Sequence, residues 1–86
     1  MDSIIVTITN ARKTFMYDIE VPNNVPAERL VIDIAEALNG YNPDLMINGS
    51  GIRLYSGRLN RGVGFNETLE EAGVWNGDFL IILEGN

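Results

Sequence analysis

Near its C-terminal end the chain reads Thr68-Leu-Glu-Glu-Ala-Gly-Val-Trp-Asn-Gly-Asp-Phe-Leu-Ile-Ile-Leu83. Thr68 and Glu71 have the spacing of a capping box, in which each side chain accepts a hydrogen bond from the other residue's backbone N–H. This spacing predicts a short helical turn, and Gly73 is predicted to end it because glycine adopts positive φ without strain. Residues 76–78 then predict a tight reversal into a strand over residues 79–83.

The earlier sequence predicts the other elements of a small sheet and one helix. Alternating apolar residues predict strands over residues 4–8 and 15–21, joined by a polar hairpin loop. A helix is predicted from Pro26, a residue that suits the first helical turn, to Gly40. Its apolar face consists of Leu30, Ile34, Ala37 and Leu38.

After an irregular connection, residues 52–55 predict a third strand and residues 58–59 a short edge strand. The resulting order is strand, strand, helix, strand, short strand, turn, strand. With all the helical mass between the second and third strands, this order predicts an α+β fold in which one helix covers one face of the sheet. A chain of 86 residues is long enough for a single domain with one small core, over residues 1–86.

The composition argues against catalysis and metal binding. The chain has no Cys and no His, which removes thiolate and imidazole ligands and the commonest general base. Its serines therefore have no His to activate them, and Lys13, the only lysine, lies in a predicted loop where it should stay hydrated. We predict that the protein is not an enzyme and binds no cofactor and no metal.

Charge and hydropathy restrict the partners. The net charge of −6 opposes binding to nucleic acid and to anionic lipid. The first residues lack the positive region of a signal peptide, and the longest apolar run, residues 79–83, is far shorter than the ~20 residues of a membrane span. We therefore expect no direct membrane insertion and a location in the cytoplasm.

The predicted last strand is apolar on both faces. Leu80 and Ile82 share one face, while Phe79, Ile81 and Leu83 share the other. A sheet covered by a single helix usually exposes its second face to solvent, and that face should then carry polar residues. The outer apolar residues have two possible interpretations. The outer residues form a docking surface, or the sheet curves around them or simply tolerates exposed apolar side chains.

Two motifs give the chain a family resemblance. Val31-Ile-Asp-Ile-Ala35 in the helix, and residues 68–74 followed by Asn76-Gly-Asp78, resemble the YukD/EsaB family of small ubiquitin-like proteins linked to type VII (WXG100) secretion. They also resemble the ubiquitin-like domain at the cytosolic end of a membrane component of those machines. The element order over the whole chain is similar to that of the ubiquitin-like β-grasp.

The resemblance implies that the last strand lies centrally, between the first and the third. The outer surface would then have an apolar centre, similar in position to the surface that ubiquitin uses to meet its receptors, with a rim of arginine and aromatic side chains. Arg53 stands about where ubiquitin carries an apolar residue, so ubiquitin's own partners are not implied. The predicted partner-binding residues are Ile5, Arg53, Tyr55, Arg58, Phe79, Ile81 and Leu83.

Three function classes follow from the resemblance. The first is a noncovalent interaction module that binds a cytosolic part of a secretion apparatus, and the second is a self-associating structural subunit, or homo-oligomer. The third, a covalent modifier, would need a flexible tail ending in Gly-Gly, whereas this chain reads Glu84-Gly85-Asn86 after the last strand. We therefore expect no conjugation.

Two features have alternative interpretations. Arg53, Arg58 and Arg61 lie within nine residues that contain no acid, which is typical either of a solvated strand edge guarded by charge or of a docking surface for an acidic partner. Trp75 is predicted to seal the end of the core while its indole N–H stays in water; a partner contact is the alternative.

Overall fold

The computed structural model describes residues 2–84. Its elements, in chain order, are β1 (Ser3–Asn10), β2 (Met16–Pro22), α1 (Ala27–Tyr41), β3 (Ile52–Ser56), β4 (Arg61–Gly62), α2 (Leu69–Ala72) and β5 (Phe79–Glu84). Two short 3-10 helices, Pro43–Leu45 and Gly49–Gly51, form the connection between α1 and β3. The predicted α+β order is confirmed, and the tail prediction on Gly85 and Asn86 lies outside the described residues.

All five strands form one sheet in the order β2-β1-β5-β3-β4. β1 and β5 are parallel, whereas β1–β2, β3–β5 and β3–β4 are antiparallel. β5 therefore lies between β1 and β3, as the resemblance implied. Within residues 2–84 no helix has both the length and the apolar character that crossing a bilayer requires.

The core lies between α1 and one face of the sheet. In the four longer strands, alternate residues point toward the helix, as the period of two predicts. The fully buried side chains of this layer include Val6, Ile8, Leu30, Ile34, Leu38, Ile52, Leu54, Leu69, Leu80 and Ile82. We call the opposite face of the sheet, turned away from α1, the outer face.

The N-terminus of α1 is closed by a distant loop rather than by a side chain. Pro26, immediately before the helix, cannot cap it with a side-chain hydrogen bond. Instead the Ala27 N–H donates to the Glu67 carbonyl at 2.8 Å, and the Glu28 N–H donates to the Phe65 carbonyl at 3.0 Å. Two donors that would otherwise lack a helical partner are thereby satisfied, and the loop before α2 is fixed to the helix.

The predicted C-terminal motif forms as expected. The Glu71 N–H donates to the Thr68 hydroxyl at 3.0 Å, and the Thr68 N–H donates to the Glu71 carboxylate at 2.9 Å. Gly73 ends α2 with φ at 87°, in the left-handed region. Beyond it, the Asn76 side-chain oxygen accepts the Ile5 N–H at 2.8 Å, so the turn before β5 is fastened to β1.

Several predicted boundaries are wrong, and most of them are shifted by one or two residues. α1 does not end at Gly40 but continues to Tyr41, whose ring stacks on Tyr17 of β2 with centroids 5.3 Å apart. The short edge strand is at Arg61–Gly62 rather than at residues 58–59. Residues 57–60 form a turn instead, in which the Leu59 N–H donates to the Ser56 hydroxyl and Asn60 has φ at 55°.

Candidate partner-binding face

The outer face carries a strip of apolar side chains along the centre of the sheet. Ile5, Phe79 and Leu83 keep 51%, 41% and 39% of their surface exposed, and Ile81 is half-buried between them. Leu80 and Ile82, which alternate with them, are fully buried against α1. The sequence prediction that β5 presents one apolar face to the core and the other to solvent is confirmed. We call Ile5, Phe79, Ile81 and Leu83 the apolar strip.

The strand register sets the neighbours of the strip. Tyr55 of β3 is paired with Ile81, and Arg53 is paired with Leu83, so both predicted rim residues lie beside it. The Tyr55 hydroxyl is hydrogen-bonded to the Asn60 side chain. The Arg53 guanidinium lies 4.7 Å from the centre of the Phe65 ring, which is a cation–π contact at the edge of the face.

Arg58 makes its contacts within the protein, so its charge is not free at the rim of the apolar strip. Its guanidinium donates to the Asp78 carboxylate at 2.9 Å and to the Gly73 carbonyl. The same group stacks on Trp75, 3.9 Å from the ring centre. These contacts span 15 to 20 residues of sequence, and they join the turn after β3 to the turn before β5. Arg58 therefore has fewer donors for a partner than Arg53 has.

The ion pair also sets the protonation of Asp78. The hydrogen bond from Arg58, supported by the Trp75 N–H at 2.9 Å, holds the pKa of the Asp78 carboxyl below its ordinary value. Both donors bind the ionised carboxylate more strongly than the neutral acid, so the charged form is favoured at this corner of the outer face.

The prediction for Trp75 as a core residue is wrong. Its side chain is 65% exposed, and Val74, the residue before it, fills the end of the core instead. Trp75 lies against Arg58 at the margin of the outer face, where a large aromatic side chain is well suited to contact a partner. The Trp75 N–H donates to the Asp78 carboxylate at 2.9 Å, which closes the turn that carries Trp75.

The β2 side of the outer face is acidic. Asp18 and Glu20 point outward from β2, and each accepts a hydrogen bond from a hydroxyl on β1, Thr7 to Asp18 at 2.6 Å and Ser3 to Glu20 at 2.9 Å. The strip therefore has carboxylates along one side and Arg53 on the other. The sequence identified these acids only as the polar half of a strand.

A shallow depression of about 340 Å³ lies beside the strip, over β1 and β2. The residues that line it are Thr7, Thr9, Lys13, Met16, Gly77 and Phe79. Met16 and Phe79 supply the large apolar side chains of this lining, and both are exposed. Sequence reasoning missed this feature because it depends on the pairing of Met16 with Thr9 across β1 and β2.

Two further features of the described residues concern acidic side chains. Among residues 2–84 no group of three or more His, Cys, Asp and Glu side chains could hold a metal ion.

Arg61 donates to the Glu67 carboxylate at 2.8 Å and to the Ala72 carbonyl. The pKa of Glu67 is held below its ordinary value, mainly by the hydrogen bond from the Gly64 N–H and next by the one from Arg61. The ionised carboxylate that closes this loop is therefore favoured.

The chain matches a known family over most of its length. The family described as WXG100 protein secretion system (Wss), protein YukD, matches residues 3–82. Comparison with curated protein sequences gives no match.

Solved structures show the same fold. The ubiquitin-like domain of the Mycobacterium tuberculosis type VII secretion protein ECCD1 has a TM-score of 0.74 and 22% identity, covering 98% of this chain and 100% of that one. A chain of the MycP5-free ESX-5 inner membrane complex has a TM-score of 0.77 and 17% identity, covering 98% of this chain but only 21% of that chain. Caldiarchaeum subterraneum ubiquitin has a TM-score of 0.66 and 20% identity, with 98% and 95% covered. The fold is therefore the ubiquitin-like β-grasp.

Proposed function

The chain belongs to the YukD family of the WXG100 protein secretion system, and from this premise we propose that it is a noncovalent interaction module. It docks through its outer face onto a cytosolic part of a type VII-like secretion apparatus. It works in the cytoplasm, without a cofactor and without catalysis, and its contribution is to hold or regulate a component of the apparatus.

The observation that carries this proposal is the exposure of the apolar strip. The strip lies on the side of the sheet that α1 does not cover, and three of its four side chains are more than a third exposed. Fully burying one such side chain is worth roughly 1.5 to 3 kcal/mol. Two or three buried together supply the core of a specific interface, with the surrounding residues excluding water.

The rim residues have different roles in this proposal. Arg53, exposed at the end of the strip, attracts an acidic partner surface and mainly raises the association rate. Arg58 acts indirectly, because its contacts hold Trp75 and the turn before β5 in place. A surface that is already ordered loses less conformational entropy when it binds.

The comparisons support the class of partner. Domains of this fold occur in the type VII secretion protein ECCD1 and in the ESX-5 inner membrane complex. A small chain of the same fold and of a WXG100 secretion family is therefore well suited to bind a component of such a machine.

Capture of partners from host lysate tests the proposal. Wild-type protein should recover components of the secretion system, and Ile81→Lys should recover them at least about tenfold less well, because a lysine in the middle of the strip must be desolvated on docking. Ile32→Lys is the matched control, since Ile32 is 48% exposed on α1, away from the outer face. Equal recovery by all three baits would remove the strip from the mechanism, and recovery of no secretion component by any of them would contradict the proposed function.

A further inference from the structure

The two ends of the apolar strip carry opposite charges. Glu20 is the cross-strand partner of Ile5 at one end, and Arg53 is the cross-strand partner of Leu83 at the other. Because Thr7 is paired with Phe79 in the parallel β1–β5 ladder, Ile5 lies level with residue 77. The two charges are therefore about 20 Å apart along the strands and about 14 Å apart across them.

This arrangement is self-complementary. Two copies can stack with their outer faces against each other. A two-fold axis that lies between the two faces, parallel to them, and passes near Phe79 and Ile81 then places each end of one strip over the opposite end of the other strip. Glu20 of one copy then faces Arg53 of the second, and the same pair forms again on the other side of the axis. Apolar side chains meet in the middle.

We propose that a second copy of this chain binds the outer face, forming a two-fold dimer closed by two Glu20–Arg53 ion pairs. The inference rests on the outer face being a docking surface, as in the proposed function. Because the dimer and the secretion component would use the same side chains, self-association and docking exclude each other.

Both charges are available for such a pair. Glu20 is exposed, and its carboxylate accepts one hydrogen bond, from the Ser3 hydroxyl, which leaves most of its acceptor sites open. Within residues 2–84 the Arg53 side chain makes no hydrogen bond or ion pair and its guanidinium lies over the Phe65 ring, whereas Arg58 and Arg61 are both paired with carboxylates. Of the three clustered arginines, Arg53 is thus the one whose side-chain donors are all free of partners within residues 2–84.

The dimer should be weak. The strip and its flanking charges span an area of about 300 Å² per copy, well below the ~800 Å² per partner of a standard stable interface. The net charge of −6 on each copy also repels, although at 0.15 M salt this repulsion is screened beyond ~8 Å. Self-association therefore requires a high local concentration, and a larger partner surface can displace it.

Reversal of the charges gives a sharp experiment. The full chain is studied by sedimentation equilibrium from about 10 μM to about 1 mM, a range that covers weak association. Glu20→Arg and Arg53→Glu should each raise the dimer dissociation constant at least about tenfold, since each variant places like charges at both ion-pair positions. An equal mixture of the two variants should restore the dimer, because in the mixed pair every charge meets its opposite. The double variant should also dimerise as the wild type does.

The outcomes separate this inference from the proposed function. A wild type that stays monomeric up to ~1 mM, single variants that dimerise normally, or a mixture that fails to restore the dimer would each overturn the self-association while leaving the docking proposal standing. A restored dimer in the double variant, combined with weaker capture of the secretion component, supports both. Circular dichroism of each variant confirms that these exposed substitutions leave the fold intact.

Discussion

The ring of Phe79 occupies the space that a side chain at Gly57 would need. A Cβ built on Gly57 would lie 2.1 Å from two atoms of that ring, far inside contact distance. The φ angle of Gly57 lies outside the left-handed region, so the backbone itself does not demand glycine here. The absence of a side chain instead lets Phe79 lie flat at the margin of the outer face.

Gly57→Ala should therefore alter the outer face without unfolding the protein. The Phe79 ring is partly exposed and able to rotate into solvent, so we expect the free energy of unfolding to change by less than about 1 kcal/mol. NMR signals of the Phe79 ring should shift, and binding of the secretion component should weaken several-fold. Gly51→Ala is the control, because a Cβ added at Gly51 meets open space. It should neither shift the Phe79 signals nor weaken binding. An unchanged Phe79 spectrum in Gly57→Ala would contradict the packing described here.

Adjacent residues of β5 should differ sharply in their contribution to stability. Leu80 is fully buried and Ile81 is half-buried on the outer face. Leu80→Ala should cost about 2 to 5 kcal/mol because it opens a core cavity, whereas Ile81→Ala should cost about 1 kcal/mol or less. Denaturant unfolding measures both. Equal losses of stability would mean that Ile81 is a core residue, which would contradict its place in an exposed apolar strip.

The Arg58–Asp78 pair should make stability depend on acid pH. The Asp78 pKa is lowered in the folded protein, so its contribution is fully present above the pKa of the unfolded chain, about 3.9, and is lost as the pH falls through the lower folded pKa. At neutral pH, Asp78→Asn should lower the free energy of unfolding by about 1 kcal/mol, because the ion pair is lost. The difference from wild type should shrink as the pH is lowered below about 4. A constant difference from pH 7 to pH 2 would contradict this role of Asp78.

The capping box should stabilise α2 measurably. Thr68→Ala removes the oxygen that accepts the Glu71 N–H and should cost about 1 kcal/mol. Glu70→Ala, in the same turn but outside the box, should cost less than about 0.5 kcal/mol, as most exposed substitutions do. Thermal unfolding of the two variants compares them directly, and a larger loss for Glu70→Ala would be inconsistent with the observed hydrogen bonds.

Local patterns were enough to predict most of the fold. The capping box at Thr68, the turn at Gly77 and the alternation in β5 each depend on residues a few positions apart. The end of α1 was missed because Gly40 is a usual stop signal, whereas the helix continues until Tyr41 reaches the ring of Tyr17 in another element. Tertiary contacts of that kind override a weak local preference.

The site was predicted less completely than the fold. Alternation and the β-grasp resemblance together predicted that Ile5, Phe79, Ile81 and Leu83 share the outer face. Neither could show that Arg58 turns to Asp78, 20 residues away in the sequence. Likewise, Trp75 is exposed because Val74 fills the end of the core. The sequence could not show which of these two neighbouring apolar residues would be buried. Partner binding by the predicted residues stays a prediction.

Site-specific photocrosslinking in the host tests the central proposal most directly. A photoreactive residue in place of Ile5 reports contacts of the apolar strip, and one in place of Ile32 reports contacts of α1; the two isoleucines are almost equally exposed, at 51% and 48%. Irradiation of cells followed by mass spectrometry identifies the adducts. We expect the Ile5 position to crosslink to a cytosolic segment of a secretion component and, in the dimer, to a second copy, and the Ile32 position to give neither. Secretion-component adducts at the Ile32 position alone, or at neither position, would contradict docking through the outer face.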